Sequence, residues 1–213
     1  MDLATLKQAL IEGDDQQVAV LTRRALDEGL PAESILNDAL IAGMGEVGEL
    51  FEQGEYFVPE LLLSARAMQA AMEVLRPLLT ASNYQPLGKV VMGTVQGDLH
   101  DIGKKLVAMM LEGSGFEVID VGTDIPPGRF VEVVEETGAQ IVGLSALLTT
   151  TLPAMEATVS ALREAGPVRV KVMVGGAPVT SVFAQSIGAD GYAPDASSAV
   201  ALARRLVGIP TVS

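Results

Sequence analysis

Apolar residues in the first part of the chain recur at the spacing of amphipathic helices. The pattern predicts four helices joined by short turns, which together form a small bundle over residues 1–80. The predicted helices run from Leu3 to a stop at Gly13, from the Asp14-Asp15 cap to Gly29, from Pro31 through Phe51, and from Val58 until Pro77 ends or kinks the last one.

The third predicted helix contains three glycines, Gly43, Gly45 and Gly48. Each glycine in a helix interior costs roughly 1 kcal/mol relative to alanine. Such a cost indicates that something packs unusually close to this backbone. A tight helix–helix contact and a bulky ligand explain the glycines equally well, so both interpretations stay open.

The periodicity changes after a short polar linker at residues 81–88. Five strands are predicted at about 89–95, 117–121, 141–145, 170–175 and 191–193, alternating with helices at about 102–112, 127–137, 152–165, 179–187 and 196–207. The strands are valine-rich and apolar on both faces, as a parallel sheet covered by helices requires. Five consecutive βα units predict a second domain over residues 89–213. Its fold is a flavodoxin-like (Rossmann-type), five-stranded parallel sheet with strand order 2-1-3-4-5.

Composition and charge argue against several classes of function. The net charge of −13 argues against nucleic-acid binding, which needs clustered Lys and Arg. With no cysteine and one histidine, the chain has no zinc site that needs two or more imidazoles. No apolar run approaches the ~20 residues of a membrane span, and the acidic start resembles no targeting peptide. We therefore expect a cytoplasmic protein without zinc, nucleic-acid or membrane partners.

The only histidine, His100, lies in the loop after the first predicted strand, between Asp98 and Asp101. In one interpretation it is a surface residue at a helix start, with Asp101 as the N-cap. In the other it is a metal ligand through one ring nitrogen, while Asp98 accepts the N–H of the other. Gly103, at the helix start, would let a large flat body approach the loop.

Three further loops follow strands and are predicted to share one rim of the sheet with residues 98–103. These loops cover residues 122–126, 145–151 and 175–178. The loop at 145–151 carries Ser145 and Leu147 followed by the hydroxyls of residues 149–151, and the loop at 175–178 carries Gly175-Gly176. Paired glycines at a strand end indicate either close approach of a ligand or a tight turn. Taken together, the rim segments favour the ligand.

These motifs resemble a known family. Asp98-x-His100-x-x-Gly103, then Ser145-x-Leu147, then Gly175-Gly176 is similar to the cobalamin-binding signature of base-off, His-on corrinoid proteins. The helical segment, including residues 43–48 and 56–61, resembles the cap of the methyl-carrying branch. That branch contains the cobalamin module of methionine synthase and the corrinoid proteins of methanol, methylamine and methoxyarene methyltransferase systems. The resemblance covers residues 2–207.

The resemblance implies roles for individual residues. His100 would be the lower axial ligand of cobalt, Asp98 would bond its other ring nitrogen, and Thr151 would continue this relay where relatives carry serine. Ser145, Leu147, Gly175 and Gly176 would line the channel for the displaced nucleotide tail. The remaining expected cofactor contacts are Leu99, Asp101, Ile102, Gly103 and Thr149, and the expected cap residues over the upper face are Phe57, Leu61 and Met44.

The implied function is a methyl shuttle that cycles between Co(I) and methyl-Co(III). One donor-specific methyltransferase would load the methyl group from a methoxyarene, methylamine or methanol. A second methyltransferase would deliver it to tetrahydrofolate or a thiol, and an ATP-dependent reductive activator would restore lost Co(I). The chain alone would not be a complete enzyme.

Two alternatives share parts of the signature. A cobalamin photoreceptor carries a second histidine in its cap and a DNA-binding domain, and this sequence has neither. The cobalamin subunit of a radical mutase shares Asp-x-His-x-x-Gly but usually lacks the helical cap.

Overall fold

A computed structural model describes residues 2–82, 84–164 and 170–209. The chain divides into two compact units. Unit 1 comprises residues 1–85 with 113–115, and unit 2 comprises residues 86–112 with 116–213. Four parts of the sequence-based predictions lie outside the described residues: Asn83 in the linker, Ala165 at a helix end, and the chain ends at Met1 and at residues 210–213.

Unit 1 consists of helices. They are α1 (Leu3–Ile11), α2 (Asp15–Asp27), α3 (Ala32–Ser34), a π-helical segment (Ile35–Ile41), α4 (Ala42–Glu52) and α5 (Val58–Ala81). The cap expected before the second helix is present, because the Asp14 carboxylate accepts the N–H of Gln17 at 2.9 Å. α5 packs against α2, and α1 packs against both α2 and α4. Among the described residues, no helix combines the length and the apolar composition needed to cross a membrane.

The third predicted helix forms over residues 32–52, but its middle is π-helical. Buried pairs occur at residues 35/36, 39/40, 43/44 and 47/48, so they repeat every four residues. Four residues exceed the about 3.6 residues of an α-helical turn, and an ideal α-helix would rotate successive pairs away from one face. The wider π-helical turns offset this rotation. Between residues 35 and 41 they keep the buried pairs facing the core.

The structure answers two questions that the sequence left open for unit 1, one about Pro77 and one about Gly43. Pro77 does not end α5, which continues to Ala81. Proline removes a single backbone donor, whereas Leu75 and Leu79 on either side of it are buried and hold the last turns in place. A Cβ on Gly43 would lie 2.7 Å from Leu10, so a tight helix–helix contact explains this glycine, whereas a Cβ on Gly45 would meet no atom within 4 Å.

Unit 2 contains a five-stranded parallel sheet with order β2-β1-β3-β4-β5, which confirms the predicted topology. The strands are β1 (Lys89–Thr94), β2 (Glu117–Asp120), β3 (Ile141–Ser145), β4 (Lys171–Gly175) and β5 (Gly191–Tyr192). The helices are α6 (Ile102–Gly113), α7 (Pro127–Thr137), α8 (Leu152–Glu164), α9 (Ser181–Ser186) and α10 (Ala196–Leu206), with a 3-10 turn at Thr149–Thr151.

The two faces of the sheet carry separate cores because strand side chains alternate. Val91, Val142 and Val172 pack with residues of α7, α8 and α9. The neighbouring positions Val90 and Met92 pack with residues of α6 and α10 on the other face. Covered on both sides, the strands leave their carboxyl ends as the place where polar loops gather.

Asp190, just before β5, joins β4 to α8. Its carboxylate accepts the N–H of Val172 at 2.8 Å, the Arg163 guanidinium at 2.6 Å and the Lys171 ammonium at 3.0 Å. Burial by itself raises the pKa of Asp190, but these three donors outweigh burial and hold the pKa below its ordinary value.

This geometry predicts a pH-dependent effect of Asp190→Asn. A carboxylate with a lowered folded-state pKa adds stability above the ordinary value of 3.8, and loses it as the pH falls through the lower folded pKa. We expect the substitution to reduce the free energy of unfolding by about 2 kcal/mol near neutral pH. The difference from wild type should shrink below pH 3.8, as measured by urea unfolding. The exposed Glu136→Gln is the control, and an equal loss for Asp190→Asn at every pH would contradict the assignment.

Candidate functional site

The loops that follow the strands meet at one rim of the sheet in unit 2, as predicted. The Leu147 N–H, after β3, donates to Asp98 Oδ2 at 2.7 Å. The Asp124 N–H, after β2, donates to the Asp98 carbonyl at 2.9 Å. The Ala146 N–H donates to the Gly175 carbonyl at the end of β4 at 3.3 Å. Asp98 is therefore the residue on which two of these loops converge.

Asp98 is completely buried and accepts hydrogen bonds from five donors. Its Oδ1 accepts the His100 N–H at 3.0 Å and faces His100 Nδ1 at 2.7 Å. Its Oδ2 accepts the N–H groups of Leu147 and Leu148 at 2.7 and 3.3 Å, and faces Thr151 Oγ1 at 3.1 Å. A carboxylate surrounded in this way connects the histidine loop to the loop after β3.

The environment of Asp98 fixes the tautomer of His100. Burial alone raises the pKa of Asp98, but the hydrogen bonds from Leu147, His100 and Thr151 outweigh burial and hold the pKa far below its usual range. The ionised carboxylate can only accept hydrogen bonds, so His100 Nδ1 carries a proton and donates it to Oδ1. In the neutral imidazole, Nε2 then presents a lone pair.

The His100 side chain is 52% exposed, and Nε2 has no hydrogen-bond partner within the described ranges. Both sequence interpretations contain part of the answer. The residue does lie at the surface immediately before α6, and Asp101 precedes that helix, where its carbonyl accepts the N–H of Lys105 at 2.8 Å. The Asp101 carboxylate pairs with the Lys105 ammonium. His100 is nevertheless held by its inner nitrogen and offers the outer one, as a ligand would.

Thr151 reaches Asp98 as expected, and its hydroxyl also faces a second acceptor. Oγ1 lies 3.1 Å from Asp98 Oδ2 and 2.9 Å from the Leu148 carbonyl. A hydroxyl has one proton, so these two acceptors share it. The extra methyl group of threonine lies on the side of Gly97, 3.5 Å from an ideal Cβ position there.

The surroundings of His100 are apolar although they face solvent. Four large aliphatic side chains of these loops and of the first turn of α6 are exposed: Leu99, Ile102, Leu147 and Leu148. A Cβ built on Gly103 would meet no atom within 4 Å, so the start of α6 faces open space. An exposed apolar group around a half-exposed imidazole indicates a binding surface for a large apolar body.

Gly175 and Gly176 are explained by the packing of the protein itself. A Cβ on Gly176, whose φ is +120°, would lie 1.9 Å from the Ala146 carbonyl oxygen. A Cβ on Gly175 would lie 2.9 Å from the Ala193 carbonyl oxygen. The tight turn considered in the sequence analysis is thus present. A role in holding a nucleotide tail stays a prediction.

The other expected rim residues differ in their surroundings. The Ser145 carbonyl accepts the N–H of Val95 at 3.0 Å, while its hydroxyl has no partner within the part of the chain that the structure describes. Thr149 is exposed at the start of the 3-10 turn. Both hydroxyls are therefore available to a ligand.

The three expected cap residues of unit 1 are not equivalent. Phe57 precedes α5 and is 64% exposed, whereas Leu61 and Met44 are buried. The Phe57 N–H donates to the Glu60 carboxylate at 3.0 Å, which fixes the backbone at the start of the helix. In this conformation Phe57 is the one of the three that presents a large apolar surface to solvent.

Both parts of the chain match models of known protein families. A family model described as a B12 binding domain matches residues 88–201, and a second model with the same description matches residues 3–76. Dimethylamine corrinoid protein 1 of Methanosarcina acetivorans is 46% identical over 207 residues, which are 96% of this chain and 97% of that protein. The chain belongs to the B12-binding corrinoid protein family.

Other relatives of this corrinoid protein also match along its whole length. A corrinoid protein of Desulfitobacterium hafniense is 42% identical, over 97% of both chains. The crystal structure of a cobalamin-binding protein from the same species covers 97% of this chain and 99% of its own, with 38% identity and a TM-score of 0.79. A chain of the methanol:cobalamin methyltransferase complex of Methanosarcina barkeri gives a TM-score of 0.86 at 29% identity, with coverage of 97% and 79%.

Sequence reasoning missed several residues that support the histidine loop of this corrinoid protein. The Lys104 side chain is buried, and its ammonium pairs with Asp120 and donates to the Gly122 carbonyl at 3.1 Å. Thr94 is buried and its hydroxyl donates to the His100 carbonyl at 2.8 Å. Asp124 contacts the loop from the side of β2. The sequence shows two successive lysines after Gly103, Lys104 and Lys105, and does not indicate that the first of them is buried.

Proposed function

We propose that this chain binds a corrinoid in the base-off form, with His100 Nε2 as the lower axial ligand, and carries a methyl group between two methyltransferases. The observation that carries the proposal is the orientation of His100. Nδ1 is held by a buried, ionised Asp98, so the exposed Nε2 has the lone pair that a metal needs. Family membership supports the corrinoid, because the matched models describe B12 binding domains.

The residues present fit a corrinoid. A corrin is a wide, largely apolar ring, and the exposed side chains Leu99, Ile102 and Leu147 offer an apolar surface around the imidazole. Gly103 leaves open space at the start of α6. When bound, the corrinoid cobalt supplies the centre that accepts a methyl group and gives it up again.

The chain's own contribution is to orient the His100 imidazole and to shield a bound corrinoid from water. Asp98 and Thr151 keep the imidazole proton on Nδ1 and aim Nε2 outward. With a corrinoid bound, the apolar side chains around His100 would exclude water from that nitrogen. The family resemblance makes Phe57 the proposed cover of the upper face, and its side chain is 64% exposed just before α5. No complete active site for either transfer is proposed on this chain alone.

The proposed partners follow from the names of relatives. Curated relatives are dimethylamine and trimethylamine corrinoid proteins, and a structural relative belongs to a methanol:cobalamin methyltransferase complex. We therefore place methylamines and methanol first among donors, with a methoxyarene as a further candidate. Tetrahydrofolate or a thiol is the proposed acceptor, and an ATP-dependent reductive activator is the proposed third partner.

Reconstitution tests this proposal in two steps. Purified protein mixed with hydroxocobalamin should retain one corrinoid per chain after gel filtration. Each donor methyltransferase, supplied with its radiolabelled methylamine, methanol or methoxyarene, should then be assayed for label on the reduced holoprotein. Transfer from one donor class identifies the substrate. Retention of no corrinoid by wild type would overturn the proposal.

Two glycine substitutions separate ligand approach from backbone packing. Gly103→Ala should leave the apo-protein as stable as wild type or up to about 1 kcal/mol more stable, because alanine is the better helix former. It should nevertheless raise the Kd for cobalamin about 10-fold, because the new methyl group occupies the space the ring needs. Gly176→Ala should instead destabilise the apo-protein by about 2 kcal/mol, because of its positive φ and the Ala146 carbonyl.

Urea unfolding and equilibrium titration with hydroxocobalamin measure both effects. Unchanged cobalamin affinity in a stable Gly103→Ala protein would remove Gly103 from the proposed binding surface.

A further inference from the structure

We propose that Asp124, in the loop after β2, is a positioning residue that holds the backbone of the histidine loop so that His100 can coordinate cobalt. The proposal rests on the proposed function and concerns a residue outside the Asp-x-His-x-x-Gly segment. Asp98 orients the imidazole through its side chain. The structure assigns to Asp124 the separate task of fixing the main chain from which the Asp98 and His100 side chains extend.

Asp124 makes a reciprocal pair of hydrogen bonds with the histidine loop. Its Oδ1 accepts the Gly97 N–H at 2.7 Å, and its own N–H donates to the Asp98 carbonyl at 2.9 Å. These two bonds flank the peptide between Gly97 and Asp98. Gly97 has a φ of +86°, so this loop turns sharply at the point where Asp124 holds it.

The backbone of Asp124 is itself fixed on both sides. The Thr94 N–H donates to the Gly122 carbonyl at 3.0 Å, and the Ile125 N–H donates to the Thr94 carbonyl at 3.1 Å. The buried Lys104 ammonium also donates to the Gly122 carbonyl, at 3.1 Å. The loop after β2 is therefore attached both to β1, which leads into the histidine loop, and to α6, which follows it.

These attachments place Asp124 in a left-handed conformation. Its φ is +56°, and it is the only non-glycine residue with positive φ among those the structure describes. Aspartate tolerates this region better than most side chains, and glycine adopts it freely. The left-handed backbone and the acceptor oxygen are thus two separable properties of this position, and substitutions can remove them one at a time.

Thr94 links the loop that contains Asp124 to His100. The Thr94 hydroxyl donates to the His100 carbonyl at 2.8 Å, while the Thr94 backbone pairs with Gly122 and Ile125 on either side of Asp124. The loop is then anchored at the Gly97 N–H, the Asp98 carbonyl and the His100 carbonyl. Without the Asp124 carboxylate the first anchor is lost, and the direction of the imidazole is less well defined.

Three variants test the inference. Asp124→Asn keeps both the acceptor oxygen and tolerance of positive φ, so it should behave like wild type. Asp124→Gly keeps the backbone conformation but removes the acceptor, and Asp124→Ala removes both. Each protein is labelled with ¹⁵N-histidine, loaded with hydroxocobalamin and reduced to the Co(II) form, and electron paramagnetic resonance measures the fraction that shows the doublet of a coordinated His100 nitrogen. The Kd for hydroxocobalamin and the urea midpoint of the apo-protein are measured in parallel.

We expect the Gly and Ala variants to lose much of the nitrogen-coordinated fraction and to bind cobalamin about 10-fold more weakly, the cost typical of residues that orient a metal ligand. Ala should also lower the urea midpoint more than Gly does. Asp124→Ser, whose shorter side chain withdraws the oxygen from Gly97, is a second variant with the same expected loss, so that the inference does not depend on one protein folding.

The failures are distinguishable. If wild type shows no coordination by the His100 nitrogen, the proposed function fails and this inference fails with it. If wild type coordinates nitrogen, and Asp124→Gly or Asp124→Ser keeps the same coordinated fraction and Kd, Asp124 serves stability alone and only this inference is overturned.

Discussion

Replacing His100 by alanine is expected to abolish coordination of bound cobalamin by a nitrogen of the protein while leaving the fold almost unchanged. The side chain is 52% exposed, so its loss should change the free energy of unfolding by no more than about 0.5 kcal/mol. Four of the five donors to Asp98 remain, because the backbone N–H at position 100 is retained. The Kd for cobalamin should rise by at least about 10-fold, since the metal ligand itself is lost. Absorption spectra and equilibrium titration of both proteins measure these effects.

Chemical rescue makes this experiment specific. His100→Gly leaves a gap that free imidazole can fill, and the chain has no second histidine to take its place. In the Co(II) form, added imidazole should restore a nitrogen-coordinated spectrum in His100→Gly and leave the wild-type spectrum unchanged. Val20→Ala, which removes an exposed apolar side chain of α2 and no nitrogen, is the control. Wild-type coordination retained in His100→Ala would contradict the assignment.

Substituting Asp98 should affect both stability and coordination. Asp98→Ala leaves five donors without their buried acceptor, among them the N–H groups of His100 and Leu147. We expect a loss on the order of 3 kcal/mol in the free energy of unfolding, because buried donors that lack partners are costly. Urea unfolding of the apo-protein measures this loss.

Asp98→Asn is the more informative change. Three donors converge on Oδ2 of Asp98, so the amide oxygen of asparagine should take that place. The amide NH₂ then faces His100 Nδ1, which must accept instead of donate. The imidazole proton moves to Nε2, and the lone pair needed by a metal is lost from that nitrogen. We therefore expect a large loss of nitrogen coordination with a smaller loss of stability than in Asp98→Ala.

Thr151→Val shows how much the loss of a single contact of Asp98 affects coordination. It removes one of the five contacts of Asp98, and the Thr151 hydroxyl also serves the Leu148 carbonyl. Its effect on coordination should be smaller than that of Asp98→Asn. An Asp98→Asn protein that coordinates cobalamin as wild type does would show that the tautomer of His100 is not set by Asp98.

The fold was largely predictable because its elements carry strong periodic patterns. Valine-rich strands between helices were sufficient for the topology of unit 2, and the observed strands agree with the predicted ones to within one or two residues. The π-helical segment was not predictable from amphipathic spacing alone. Its origin is the exact fit of the buried pairs between Ile35 and Gly48 to one face, which depends on the neighbouring helices.

The candidate site was predictable where residue type and loop position coincide. Asp98, His100 and Thr151 meet as expected, because the carboxyl ends of parallel strands share one rim. The supports from Lys104 and Asp124 were not predicted, since they depend on a buried ion pair and a left-handed backbone that no short motif reveals. For Gly176, the positive φ and the close Ala146 carbonyl are enough to require glycine, and a cofactor contact at this position stays a prediction.

The central claim is that His100 Nε2 is the lower ligand of the corrinoid cobalt. Because the chain has a single histidine, labelling with ¹⁵N-histidine marks one side chain only. The electron paramagnetic resonance spectrum of the Co(II) holoprotein should show nitrogen hyperfine triplets with natural-abundance histidine and doublets after labelling. Triplets that persist in the labelled protein would mean that the nitrogen comes from the cofactor or another residue, and would contradict the account.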